Sequence, residues 1–341
     1  MIPSGPNPAK PGETGPPLPP RLWSFGFHCA DLEATTRFFQ QGLGFVLAGD
    51  TIELRGGPYG ALLGLPDAVI RLRRLRIGAE RFELSQVVDP GAGARVGRPI
   101  PADSRANDLW FQHICLVTSA MEDALDQLQG VRPAGGADAI SSAPQRLPDT
   151  NPTAAGIVAF KFRDPEGHPL ELLRFPPGKG EPRWHQGRGA GPVLGIDHSA
   201  IGVADTEASR RFYAEVLGLR QASDAVNCGL EQEHLDGLAG VAVRITSHRP
   251  AAGPGMECLH YLQPADGRPM PADLGPQDGA HWQVQWRVTD LARIVERVTS
   301  AGGRLLSDGI VDLGDQAPLI GARQALRLAD PDGHRLLLLE G

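Results

Sequence analysis

Histidine and glutamate recur in this chain at matched places. Glu83 in FELSQ and Glu257 in MECLH stand 174 residues apart. His113 in WFQHICLV and His281 in GAHWQVQWRV follow them and stand 168 apart. Imidazoles and carboxylates pass protons in general acid–base work. They also bind divalent Fe, Mn, Ni or Zn. A lone histidine at the start of a strand is more often structural, and it is the recurrence that argues for a ligand. A second group is NCGLEQEH, where Glu231, Glu233 and His234 offer an acid or base, with a charged edge strand as the competing reading. A third is the run after His281. By strand alternation Gln283, Gln285 and Arg287 share its face, while Trp282, Val284 and Trp286 take the other. A polar row of that kind suits a polar substrate or a solvated open face, and Asn227 joins it as a substrate contact. The DPxGH histidines, His168 and His334, read as turn residues, and His28 as a poor ligand. VIRLRRLRIG, residues 69–78, reads as a half-buried strand with a basic solvent face.

These groups must be held by elements that also repeat. DLEATTRFFQQGLGF (31–45) matches DTEASRRFYAEVLGL (205–219), again 174 apart. GRPIPAD matches GRPMPAD, and DPEGHPLELLRF matches DPDGHRLLLLEG 166 residues later. Near-constant offsets along the whole chain mean a tandem duplication. Domains are expected over about 21–176 and 193–341, joined by the Gly-, Pro- and charge-rich 177–192. Each domain is itself two halves. A short alternating run leads to an amphipathic helix with an acidic start and a glycine stop, at 31–44, 120–130, 205–218 and 290–302. About three strands follow each helix. The class is α+β, with four βαβββ modules.

Composition narrows the functions. The chain has 341 residues, long enough for two domains, and a formal charge of −7 with no strongly basic half. That argues against nucleic acid as a partner. The longest aliphatic run, 336–339, is far below the ~18 residues of a membrane helix. Cys29, Cys115, Cys228 and Cys258 form no CxxC pair, which speaks for a reducing compartment rather than a disulfide framework. Residues 1–20 hold eight prolines and three glycines and read as a disordered arm rather than a secretory signal. A cytoplasmic protein is expected. Phosphate loops, dinucleotide fingerprints and GxSxG are absent.

The motifs GIDHSAIGVADTEASRRFYAEVLGL, GRPxPAD and DPxGHxLEL, taken in order over residues 22–341, resemble the vicinal oxygen chelate superfamily. That superfamily includes glyoxalase I, extradiol dioxygenases, methylmalonyl-CoA epimerase and bleomycin-resistance proteins. The resemblance implies that modules pair into two tandem domains, each with one cleft and up to four ligand positions. In the second domain these positions fall on His198, Glu257, His281 and the non-ligating Leu337. In the first they fall on Ser24, Glu83, His113 and Glu171. His198, Glu257 and His281 would form a 2-His-1-carboxylate set, and Glu83, His113 and Glu171 a weaker one.

The expected function is a metal-dependent enzyme with one divalent ion, Fe2+, Mn2+, Ni2+ or Zn2+. Its substrate would be a small molecule that chelates the ion through neighbouring oxygens. Lyase, isomerase and ring-cleaving dioxygenase chemistry all stay open. The alternative is a metal-free binder of the bleomycin-resistance type. A homo-oligomer is compatible with either.

Overall fold

The computed structural model describes residues 19–131, 139–186 and 191–341. The expected arm at 1–20 lies outside these residues except for Pro19 and Pro20. Module one comprises β1 (Arg21–His28), α1 (Leu32–Leu43), β2 (Val46–Leu47), β3 (Ile52–Arg55), α2 (Gly57–Leu63), β4 (Val69–Ile77) and β5 (Glu80–Asp89). Module two comprises β6 (Gln112–Thr118), α3 (Met121–Val131), β7 (Gln145–Arg146), β8 (Val158–Arg163) and β9 (Pro169–Arg174). Module three comprises β10 (Val193–Gly202), α4 (Thr206–Leu217), β11 (Arg220–Cys228), α5 (Leu230–Asp236), β12 (Ala242–Arg249) and β13 (Gly255–Gln263). Module four comprises β14 (Trp282–Val288), α6 (Leu291–Val298), β15 (Arg304–Leu305), β16 (Val311–Asp312), α7 (Ala317–Ile320), β17 (Gln324–Ala329) and β18 (Arg335–Glu340).

The helices start where the sequence signals them, and α1 and α4 also stop there, whereas α3 runs through Gly130 to Val131 and α6 ends at Val298, short of Gly302. Asp31 accepts from the Ala34 N–H, Asp205 from Glu207 and Ala208, and Asp290 from Arg293, each satisfying donors the helix cannot. Gly44 and Gly218 close α1 and α4 at φ 78° and 66°, a left-handed conformation that costs a side chain energy. The apolar stripes of the helices meet the sheets in one core, which takes Phe38 and Phe39 from α1, Phe212 and Tyr213 from α4, and Phe25, Phe82, Ile196 and Trp286 from strands.

The α+β class and the four modules stand, but the pairing of modules departs from the contiguous division at 21–176 and 193–341. One sheet runs β15-β17-β18-β14-β1-β5-β4-β2 and joins module four to module one. The other runs β11-β12-β13-β10-β6-β9-β8-β7 and joins module three to module two. In each, two opening strands lie antiparallel at the centre, β1 on β14 and β10 on β6. Contiguous modules meet through helices instead. The Gln127 side chain of α3 donates to the Gln41 carbonyl of α1, and Arg297 of α6 to the Glu215 carbonyl of α4.

The GRPxPAD segments explain this exchange, because each carries the chain from one sheet to the other and the two cross side by side. Arg98 bonds Asp273 and Asp278, while Arg268 bonds Asp103 and Asp108. A Cβ on Gly97 would stand 1.9 Å from the Gln277 carbonyl oxygen, and one on Gly267 1.9 Å from that of Asn107. Only glycine allows so close a crossing. The DPxGH turns brace it. The imidazole Nε2 of His168 bonds the Gly279 carbonyl and that of His334 the Gly202 carbonyl.

The 177–192 connection is more than a spacer. Its 3-10 turn Pro182–His185 buries Trp184, whose indole N–H donates to Asp197 at 3.2 Å. Residues 187–190 lie outside the described residues.

Candidate metal centre

Strand alternation puts one row of side chains from each central strand into the concave face of its sheet. In the sheet of modules two and three, that row brings four ligand-type side chains into one cavity of about 290 Å3. His113 comes from β6, Glu171 from β9, His198 from β10 and Glu257 from β13. His113 Nε2 lies 3.3 Å from Glu171 Oε2, and His198 Nε2 lies 3.3 Å from Glu257 Oε2. A fifth donor stands among them. Cys115, opposite His198 in the ladder, donates from Sγ to Glu171 Oε2 at 2.6 Å. His113, Cys115 and Glu171 offer ligand atoms within 4.8 Å of one another.

A surrounding layer orients this set. Asp197 Oδ2 lies 2.8 Å from His198 Nδ1, which leaves Nε2 for the cavity. Asp197 is held in turn by Trp184 and, at 3.3 Å, by Arg249. Carboxylate–imidazole pairs of this kind orient metal-binding histidines. Ser247 donates to Glu257 Oε1 at 2.9 Å. The ammonium of Lys161 is engaged by Asp236 at 2.6 Å, and Asp236 also accepts from Gln232 and Tyr261.

The electrostatics follow from crowding in a dry place. Burial would raise the Glu171 carboxyl, but Lys161, His113 and Cys115 bring it down to about 2. Burial is likewise outweighed at Glu257, which His198 and Ser247 push below the usual carboxylate range. Burial wins at His113, which falls below the ordinary imidazole value despite Glu171. At His198 burial opposes, yet the Cys115 sulfur, Glu257 and Asp197 raise it well above that value. Burial and Glu171 push the Cys115 thiol up.

The donor set fits a divalent cation. A buried carboxylate, Glu171, and a half-buried one, Glu257, share one pocket, and Lys161, its buried ammonium, is paired with a third carboxylate. Buried anions need paired positive charge. The Nδ1 of His113 has no partner among the described residues, while its Nε2 faces the carboxylates.

The structure thus redistributes both ligand sets read from the sequence. His198 and Glu257 stay together, as do His113 and Glu171, but the two pairs share one cleft. His281 and Glu83 belong to the other sheet. There Gln283 pairs with Gly26 as His113 pairs with Ala200, so the counterpart of His113 is Gln283 and not His281. The offset of 170 between Asp108 and Asp278 carries that register, and 168 broke it. His281 sits one pleat outside the ligand row. Its Nε2 takes a hydrogen bond from Arg327 at 2.9 Å, and burial with Arg327 and Arg335 holds it well below the usual imidazole range. The second cleft therefore presents Ser24, Glu83, Gln283 and Leu337, with Glu83 bonded by Gln285 at 2.7 Å and Arg74 at 3.1 Å.

Other readings shift as well. Glu231, Glu233 and His234 lie on α5, a helix where a strand was expected. Helical periodicity turns Gln232 and Leu235 to the cavity and leaves those three outside its lining. Asn227 does line the cavity and bonds Asn151 and Gln232. Gln285 and Arg287 line the second cleft, and Gln283 lies in the same sheet. Arg74 of the basic strand points into that cleft rather than to solvent, while Arg73 bonds Glu33 on α1. Sequence reasoning missed Cys115, Asp197 and Lys161. The spacing His113-x-Cys115 placed the thiol on the ligand face, a signal that a search for CxxC pairs passes over.

Comparison with known proteins completes the picture. Residues 195–338 match the family model of the Glyoxalase/Bleomycin resistance protein/Dioxygenase superfamily. No curated protein sequence matches the chain. The fold is similar to glyoxalase I from Zea mays, at 15% identity and a TM-score of 0.59, over 94% of this chain and 92% of that one. It is also similar to a Bacillus subtilis protein ascribed to the dioxygenases, at 13% identity and 0.53, over 94% and 84%. No helix among the described residues is long and apolar enough to cross a membrane. The family match thus covers the second part of the chain, residues 195–338, and the fold shared with glyoxalase I from Zea mays runs along its length.

Proposed function

We propose that the cleft of modules two and three is a divalent metal centre held by His113, Glu171, His198 and Glu257, and that the protein is an enzyme acting there on a small molecule with neighbouring oxygens. The observation that carries this is the convergence of two imidazoles and two carboxylates from four different strands on one buried cavity. When bound, the ion supplies Lewis acidity toward a chelated carbonyl or hydroxyl. These four residues would hold the ion, and the cavity beside them would take the substrate. Ring-cleaving dioxygenase chemistry instead calls for a 2-His-1-carboxylate face with more open positions. The donor set therefore favours lyase or isomerase chemistry.

The chain's own groups divide the work. Glu171, buried and held down to about 2, stays an anion and fixes charge. Glu257 is the more accessible carboxylate, its side chain 23% exposed against 8% for Glu171. It is the group placed to take a proton from one substrate carbon and return it to the next, with Ser247 holding its other oxygen. Leu147, Leu173, Leu235 and Leu259 keep the cavity apolar, while Asn227 and Gln232 give polar contacts to a substrate.

Metal analysis of protein purified without tag or chelator tests the proposal. About one divalent ion per chain is expected, lost in His113→Ala and in His198→Ala and kept in His281→Ala. If the wild type takes up no divalent ion at micromolar concentration, the enzyme reading falls and a metal-free binder replaces it.

A further inference from the structure

The second cleft has lost its ligand row but not its cavity, which measures about 260 Å3. Its chemistry is the inverse of the first. The guanidinium of Arg81 lies 3.7 Å from the centre of the Trp23 ring, that of Arg287 4.6 Å and that of Arg21 4.9 Å. Arg74 enters the same space from β4. Three cations, Arg74, Arg81 and Arg287, thus line a cleft whose one carboxylate, Glu83, is already engaged by Arg74 and Gln285, and Arg21 joins them on the Trp23 ring. Among the described residues Arg21, Arg81 and Arg287 have no ion-pair partner.

Like charges this close repel. Burial, with the repulsion of Arg21 and Arg74, lowers the Arg81 guanidinium. Arg287 is lowered by burial and by Arg21, Arg81 and Arg74. The cluster also runs against a chain whose net charge is −7. Trp23 holds the cations in place through its ring face, so they are ordered before any ligand arrives. Guanidinium forks match the two oxygens of a carboxylate or phosphate. Beneath the cations the wall turns apolar, with Ile320, Leu337 and Leu339.

We propose that the second cleft binds an organic anion, an oxyanion headgroup on an apolar body, with Arg81 and Arg287 on the headgroup and Ile320, Leu337 and Leu339 against the body. Leu337, which removes a metal ligand from this cleft, is on this reading part of what the ligand packs against. The site is independent of the metal centre and does not rest on it.

Titration calorimetry on the full chain tests this with benzoate, phenyl phosphate, inorganic phosphate and neutral benzamide. Benzoate or phenyl phosphate should bind at one per chain, with benzamide at least tenfold weaker, and which of the two is tighter assigns the headgroup. The pair R81Q/R287Q should weaken binding at least tenfold, and R81K/R287K, which keeps the charge, should weaken it less. His198→Ala should bind as the wild type does. Three results overturn the proposal: no binding of either aryl anion at millimolar concentration; equal affinity for inorganic phosphate and phenyl phosphate, which removes the apolar body; or binding lost in His198→Ala and kept in R81Q/R287Q. Matching near-ultraviolet circular dichroism for all variants keeps a folding defect from imitating the expected loss.

Discussion

His198 lies directly across the antiparallel β10–β6 ladder from Cys115, with His113 opposite Ala200 one pleat away. The two imidazoles of the proposed metal centre thus come from different halves of the chain, and a four-ligand set needs both. Their adjacency makes the strand pair the unit of the site.

Each imidazole should be indispensable. Replacing either His113 or His198 by alanine leaves three protein ligands, unequal in charge, and should lower metal affinity by at least tenfold. Glu83→Gln and His281→Ala, in the other sheet, should leave metal content unchanged. Plasma mass spectrometry of the dialysed proteins reads this. Loss of metal in His281→Ala with retention in His113→Ala would return the centre to the second cleft.

Cys115 should stay outside the ligand set. Burial and Glu171 push its thiol up, and its sulfur donates to Glu171 Oε2 at 2.6 Å, so it orients that carboxylate as a thiol. Cobalt-substituted protein should therefore show no sulfur-to-metal charge-transfer band in the near ultraviolet, and Cys115→Ser should keep its cobalt. A band that Cys115→Ser abolishes would add the sulfur to the four ligands.

His28 should make the fold acid-sensitive. Burial first, and then the neighbouring His168, lower its imidazole to about 4. The unfolded chain takes up a proton near 6.5, so stability is full above that pH and falls as pH drops toward 4. The loss over that window is about 3 kcal/mol. His28→Gln should flatten the dependence of urea midpoint on pH between 6.5 and 4. An identical slope in the variant would remove His28 from the explanation.

The crossing of the two GRPxPAD segments should depend on its buried acids. The Asp278 side chain is 2% exposed and holds Arg95 and Arg98, whereas that of Asp273 is 64% exposed. Asp278→Ala strands cations against a buried crossing and should cost about 3 kcal/mol. Asp273→Ala should cost less than about 1 kcal/mol. Equilibrium urea unfolding of both variants distinguishes these magnitudes, and equal costs would refute the ranking.

Much of this protein is determined locally. The aspartate caps, the glycine stops and the apolar stripes set the helices, because those signals act within one or two turns. The matched offsets set four modules, and the motifs carried the resemblance to the superfamily whose model matches residues 195–338. The residue types of the ligand row were legible too: His113, Glu171, His198 and Glu257 were all on the sequence. What the tertiary structure decided is which module faces which. Every module presents the same kind of opening strand, and antiparallel pairing of two such strands satisfies their hydrogen bonds whichever modules supply them. A repeat is silent on that choice because its symmetry makes the pairings equivalent. The choice rests on contacts between segments about 170 residues apart: Arg98 with Asp278, Arg268 with Asp108, and the glycines that let the chains cross. Those contacts bring His113, Glu171, His198 and Glu257 to one cavity and leave the other cleft cationic.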